Sequence, residues 1–492
     1  MAQALVITTP DVVDTSKRVF PQAGKCNIKI MRNGDYSKVG IWMWGDQMSI
    51  HPIKIVGGTF TGLVTTNVTR GVVPDQVPTI DLKEITLSSA LWNYFEVSIN
   101  NGFDAAYMLL DYWQSNTTLV GGTEDTEALI DFSSLPYSIC TLASTFLARK
   151  IRYDVTRWNI SQVRRLPFTF AQSYAFNQDI SGWDTRNVIT MEHLLDGCKR
   201  FNRNIGIWDT SKVANFSYLF NMCESFNQHL LNWSTSVATT MRSMFGGCKN
   251  FNQQVEHFNT ALVIDISFMF SGAEKFNQSV QSFDVSKVFD FSSVFRDALS
   301  FTQDVSGWNV SSGQYFNWMF SGAKKFNSNI GRWNMTKAND LSSMFRGAVS
   351  FNQDISGWDV GNVLKTGSMF LNASSFNQDI SRWDISKNLF LDNMFRGATA
   401  FKQDLSSWCA KMNVEATLHS FYENNEMSTA LYDKFLNALW IDIGTTRAAA
   451  WAKRETPKII HFGNSKYTEA GAVARANLIA LGWTLADGGQ AA

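Results

Sequence analysis

The chain has 492 residues, and 43 Lys plus Arg balance 43 Asp plus Glu, so it carries no formal net charge. That balance speaks against nucleic acid or an anionic membrane as the main partner, because both call for a basic surplus. No apolar run reaches the ~18 residues of a membrane-spanning helix, so no membrane insertion is expected. The excess is aromatic: 37 Phe and 17 Trp, enough rings to fill a large core.

Residues 1–125 show no repeat. Runs such as Val39-Gly-Ile-Trp-Met-Trp44 and Phe95-Glu-Val-Ser-Ile99 alternate with turn signals at Asn33-Gly34, Gly57-Gly58, Asn101-Gly102 and Gly121-Gly122. Short runs between such turns predict a β-rich N-terminal domain, suited to docking. Residues 1–30 lack a basic start followed by an apolar run, so no secretory leader is expected. Residues 126–150 are expected to cap the array that follows.

From residue 151 to about 410 the sequence repeats every 25 residues without insertion. With Phe176 as position 1, the spine recurs as Phe176 and Trp183, Phe201 and Trp208, Phe226 and Trp233. Later copies include Phe301 and Trp308, Phe351 and Trp358, and Phe376 and Trp383. Phe258 and Phe283 replace Trp at position 8. Position 5 is aliphatic, position 20 is Phe except at Leu195, and position 23 is Cys198, Cys223, Cys248 and then Ala. One such unit cannot bury its own apolar positions, but stacked units can. Positions 3–8, as in Gln353-Asp-Ile-Ser-Gly-Trp358, predict a short strand. Apolar spacings of three and four, as in Val188, Met191, Leu194 and Leu195, predict a turn of helix. Position 2 is mostly Asn, which either bridges backbone groups between turns as a ladder or shapes a corner. In the tail, 411–492, helices are predicted at Ser428–Ile441 and Thr468–Leu481 with a strand at Lys458–Phe462 between them. That small α/β module would cap the far end.

The unit Phe351-Asn-Gln-Asp-Ile-Ser-Gly-Trp-Asp-Val360, followed by Met369-Phe370, closely resembles the BspA-like leucine-rich-repeat surface proteins, including mycoplasma-type lipoproteins. The resemblance covers about 151–408, and the tail with Phe462-Gly-Asn-Ser-Lys-Tyr467 and Gly482-Trp483 is similar too. It implies an α/β, leucine-rich-repeat-like solenoid of about ten units, used for adhesion or recognition, and it does not imply catalysis.

No catalytic constellation is visible. No His pair has metal spacing, no CxxC occurs, and the glycine pairs lack phosphate-loop spacing. Asp179, Asp304, Asp354, Asp379 and Asp404 recur at position 4 and could in principle hold calcium. Asn204, His229, Gln254, Ser279 and Asn329 interrupt that column, so no metal or other cofactor is expected. Lys199, Arg200, Lys249, Lys275, Lys324 and Lys325, with Arg296, Arg346 and Arg396 at position 21, line one edge. They read as a solvated edge before they read as a site for an acidic glycan. Variable positions 4 and 7 carry Asn204, His229, Gln254, His257, Arg332 and Arg382, the candidate binding face.

Without a visible leader, the expected carrier is a phage virion assembled in the host cytoplasm. The N-terminal domain would bind other virion proteins, and the solenoid would bind a host surface protein or glycan as a tail fibre or capsid decoration. A homo-oligomer is expected. The alternative is a bacterial cell-surface adhesin.

Overall fold

The computed structural model describes residues 155, 156, 160, 161 and 163–491, together with the backbone of eleven strands upstream. The chain divides into two compact units, Met1–Val237 and Ala238–Ala492.

In the first unit the upstream strands are β1 Gln3–Thr8, β2 Gly24–Met31, β3 Lys38–Trp44, β4 Met48–Val56, β5 Gly58–Thr59, β6 Asn67–Val68, β7 Thr79–Asp81, β8 Thr86–Leu87, β9 Trp92–Asn101, β10 Tyr107–Asp111 and β11 Ala128–Ser134. One sheet has the order β11-β1-β2-β9-β4-β6, and a second has β10-β3-β7. β1 runs parallel to β11 and antiparallel to β2. Residues 128–134, within the segment expected to cap the repeats, thus form a strand of the first sheet. The remainder of that segment, 126, 127 and 135–150, lies outside the described residues.

The repeats solve the problem of backbone satisfaction without helix or sheet. Within a turn, the amide of one buried residue donates to the carbonyl of another three residues back. In the turn from Phe201 these bonds are Trp208 N–H to Ile205 O (3.1 Å), Val213 to Thr210 (3.0 Å), Leu219 to Phe216 (3.2 Å) and Cys223 to Phe220 (2.9 Å). Every one of these residues is buried. Between turns, the amides of positions 16, 18, 20 and 22 donate to the next turn. In the second unit Phe316 donates to Asp340 O (2.9 Å), Trp318 to Ser342 (3.0 Å), Phe320 to Met344 (2.9 Å) and Gly322 to Arg346 (2.6 Å). Both sets together leave few buried peptide groups unpaired, as a packed interior requires.

This pattern displaces two local expectations. The strand expected at positions 3–8 and the helical turn expected over positions 13–20 do not form in the units from 163 to 400. Position 15 makes only isolated parallel bridges, as between Tyr315 and Asp340. The apolar spacing of three that imitates a helix belongs to consecutive three-residue turns, each closing on a buried side chain. Positions 18 and 22 pay with positive φ: Trp318 has φ 63° and Gly322 φ 71°. Position 22 is Gly in most turns because only Gly enters that region without steric cost. Gln172, Met222, Asp297 and Asn372 hold it elsewhere.

The spine residues are all buried. Position-1 rings lie parallel from turn to turn with centroids 5.8–6.2 Å apart, as for Phe176–Phe201 and Phe301–Phe326. The tightest ring contacts join two columns instead. Phe220 stacks on Phe226 at 4.0 Å and Phe320 on Phe326 at 3.7 Å, position 20 against the next position 1.

Tryptophan at position 8 has a polar duty as well. Its indole N–H reaches the position-5 carbonyl of the preceding turn: Trp208 to Ile180 O (3.1 Å), Trp333 to Val305 O (3.1 Å) and Trp358 to Ile330 O (3.0 Å). Phe283 fills the same slot by volume but brings no donor. Asn at position 2 forms the inter-turn ladder. Its side-chain oxygen accepts the next turn's position-2 amide, as from Asn202 to Asn177 (3.0 Å) and from Asn377 to Asn352 (2.9 Å).

At the far end the last turn lengthens by two residues, so that Phe390 bridges to Thr417. Trp408, at the end of a 3-10 turn Ser406–Trp408, is still in phase and donates to Ile380 O (3.1 Å), so the added residues lie between Trp408 and Thr417. The C-terminal module follows with α1 Thr429–Ile441, α2 Ala448–Ala452, β12 Ile459–His461, α3 Glu469–Ala480 and β13 Thr484–Ala486. Ser428 and Thr468 cap α1 and α3 through their side-chain oxygens. β12 and β13 pair in parallel. Tyr422 N–H donates to His461 O (2.9 Å) and Met427 N–H to Ser465 Oγ (2.9 Å), tying the module to the last turn. Buried Asp442 accepts from Arg447 Nη2 and Trp451 Nε1, each at 2.7 Å.

The indole bond makes a prediction in both directions. Trp333→Phe keeps a ring but loses the donor, and should lower unfolding stability by about 1–2 kcal/mol. Phe283→Trp should recover about 1 kcal/mol by donating to Val255 O. Denaturant midpoints of the two variants check this.

Candidate functional site

The six residues expected to form the binding face are all exposed: Asn204 and His229 in the first unit, Gln254, His257, Arg332 and Arg382 in the second. They stand at one edge of their turns, but position 4 has a structural task that the sequence did not disclose. Its side-chain oxygen accepts the amide two residues on. Asn204 Oδ1 takes Gly206 N–H (3.0 Å), Asn329 takes Gly331 (3.1 Å) and Asp354 takes Ser356 (2.9 Å). Asp, Asn and Ser therefore alternate at position 4 because each can form this turn. Position 9 repeats the device: Asp209 accepts from Ser211 (2.9 Å) and Asn334 from Thr336 (3.1 Å). The column considered for calcium is thus a row of carboxylates each turned onto its own loop. Position 7 has no such duty, and Arg332 and Arg382 project there freely to solvent. His257 lies edge-on to Phe258 at 4.8 Å.

The turn geometry also lowers acidities. The Ser356 hydroxyl and amide hold the Asp354 carboxyl below the usual carboxylate range. The Ser381 amide and hydroxyl do the same for Asp379, helped by Arg382. The Ser306 amide and hydroxyl lower Asp304.

The cysteines at position 23 are structural. Cys198 Sγ donates to Phe170 O and Cys223 Sγ to Leu195 O, each at 3.1 Å. Burial pushes the Cys198 thiol far up, which keeps it protonated and unreactive. Ala fills the same slot in later turns.

A second surface escaped the sequence reading because its residue types differ from turn to turn. It runs over positions 14–18 and 21. In the first unit Phe168, His193 and Tyr218 stack at position 18 with centroids 4.2 Å apart. In the second unit Arg242 lies over Phe268 at 5.1 Å, and Arg296 and Arg346 lie over Trp318 at 4.8 and 5.2 Å. Ile264, Phe289, Tyr315 and Phe390 stand exposed beside them at positions 14 and 15. The signal available in the sequence was an aromatic residue at position 18, outside the spine columns.

Three overlapping segments, 140–258, 239–341 and 316–435, match one family, described as Mycoplasma protein of unknown function, DUF285. The chain belongs to this family. The tandem matches cover the repeats and agree with the BspA-like character of the unit. The DUF285 match continues past the strict 25-residue period to residue 435, so it takes in the lengthened last turn and the start of α1. No curated protein and no solved structure matches the chain.

The lowered position-4 carboxyls give a pH dependence. A carboxyl whose pKa is depressed by folding contributes stability that is complete above its unfolded value, near 3.9, and is lost as pH falls through the folded value. Asn keeps the accepting oxygen and has no proton to gain. The triple variant Asp304→Asn/Asp354→Asn/Asp379→Asn should melt with the wild type at pH 7 and lose less stability between pH 5 and pH 2.5, as thermal melts across that range would show.

Proposed function

We propose that the repeats form a leucine-rich-repeat-like solenoid that serves as a non-enzymatic recognition surface for attachment to a host surface. The observation that carries this reading is the division of labour within the unit. Positions 1, 5, 8, 20 and 23 are buried and vary little. Position 7 runs through Gly182, Ile207, Asn232, His257, Ser282, Gly307, Arg332, Gly357 and Arg382 on the same scaffold. Residue choice is free where it faces solvent and constrained where it supports the stack, which is how repeat proteins separate recognition from folding.

Two carriers fit. A β-strand-rich segment ahead of a recognition array suits the docking end of a phage tail fibre or capsid decoration, in which the chain would bind other virion proteins and assemble as a homo-oligomer. Membership in a family described from Mycoplasma favours the surface of a bacterial cell. Antibody against the chain separates them. Quantitative mass spectrometry of purified particles should recover it in fixed ratio to the other virion proteins. Surface proteolysis of intact cells that removes the protein, with none in particles, would establish the adhesin. Protein confined to the cytosol would reject both.

A further inference from the structure

A local excess of positive charge stands on a chain that is neutral as a whole. In the three consecutive turns spanning 276–350, positions 21 to 25 carry Arg296, Asp297, Lys324, Lys325 and Arg346, four cations against one carboxylate. The corresponding segment of the preceding turn holds Glu274 and Lys275, and that of the following turn, 371–375, has no charge.

The two guanidiniums share one ring and, between them, one carboxylate. Arg296 comes from the turn before Trp318 and Arg346 from the turn after, and both guanidinium groups lie over its ring. A ring between two guanidiniums attracts both through its negative faces, and so tolerates two like charges close together. Other arginines of this surface are discharged differently. Arg242 is paired with Asp265 and Asp290, at 3.5 and 3.9 Å, and Arg396 with Glu423 at 3.5 Å. Arg296 shares a single carboxylate, Asp297, at 3.4 Å, and Arg346 meets none among the described residues. Lys324 and Lys325 are exposed in the turn between them.

We propose that positions 21 to 25 of these three turns form a binding site for an anionic glycan, whose carboxylate or sulfate groups are taken by Arg296, Arg346, Lys324 and Lys325. This rests on the reading of the repeats as a recognition surface and names the chemistry that one part of it recognises. Guanidinium is the group of choice for planar, bidentate capture of carboxylate and for sulfate-like oxyanions. Cations that recur from turn to turn suit a polymer with regularly spaced anions. Ser300, Ser342 and Ser350 supply hydroxyl groups in the same turns for sugar hydroxyls. Single-stranded nucleic acid is bound through open aromatic faces, and positions 21 to 25 offer none: the faces of Trp318 are taken by the arginines, and the exposed rings of Phe289 and Tyr315 stand outside the site at positions 14 and 15.

The test uses the full chain in titration calorimetry at low and at physiological salt. The probes are heparin as sulfated glycan, polygalacturonate as carboxylated glycan, dextran as neutral glycan and a single-stranded oligodeoxynucleotide. The expected result is binding to heparin or polygalacturonate that weakens with salt, with no binding to dextran. Arg296→Ser/Arg346→Ser should weaken it by about tenfold or more. Lys324→Ser/Lys325→Ser, which leaves the Trp318 cluster intact, should weaken it in the same direction. Lys287→Ser/Lys337→Ser, exposed at position 12 and outside both surfaces, should leave it unchanged. Failure to bind either charged glycan, equal loss in the position-12 variant, or tighter binding of the oligonucleotide would overturn the proposal. These outcomes are read on purified protein and do not depend on whether the chain resides on particles or cells.

Discussion

The constraint on which the repeats depend is the pairing of buried peptide groups in a chain that forms neither helix nor sheet there. Each 25-residue turn contains buried residues whose own carbonyls and amides lie in an apolar interior. Leaving one such group unpaired costs about 1–3 kcal/mol. The chain meets this by closing three-residue turns from one buried residue to the next and sending the intervening amides to the following turn. An insertion is tolerated only outside the paired stretch: the last turn adds two residues ahead of Thr417, and Leu391, Asn393, Phe395 and Gly397 still donate to Thr417, His419, Phe421 and Glu423. Where two residues are added, in the last turn, the parallel ring stack also ends, and Phe421 meets Phe395 edge-on at 5.3 Å.

The aromatic excess follows from the same constraint. A turn with no regular secondary structure has a wide interior, and large flat rings fill it while stacking in register with the turns on either side. Tryptophan is preferred over phenylalanine at position 8 because it fills the interior and also supplies a donor to a carbonyl that would otherwise have one partner fewer. Asparagine at position 2 does the equivalent work at the corner, where the next turn's amide needs an acceptor.

Much of this was legible as columns. Phe at position 1, Trp at position 8 and the small residue at position 23 could be read as spine because identical side chains recur where identical environments recur. Local conformation was not legible. Val188, Met191, Leu194 and Leu195 have helical spacing, yet the bonds run Val188 to Thr185 and Leu194 to Met191 in separate turns. Nothing in the residue types of Tyr218, Phe268 or Trp318 announces a positive φ, since bulky side chains rarely adopt it. Of the candidate face, Arg332 and Arg382 at position 7 stand exposed, whereas Asn204 at position 4 is occupied in its own turn. The Arg296–Trp318–Arg346 cluster was invisible because its members come from three different turns.

Amide hydrogen exchange, resolved by residue across 238–427, tests this account most directly. If alternate amides carry the turns together, protection should recur with a period of 25 at positions 16, 18, 20 and 22, and the amides of positions 4 and 7 should exchange quickly. Continuous protection through positions 3–8, as a paired strand would give, or fast exchange at positions 16, 18, 20 and 22, would contradict it.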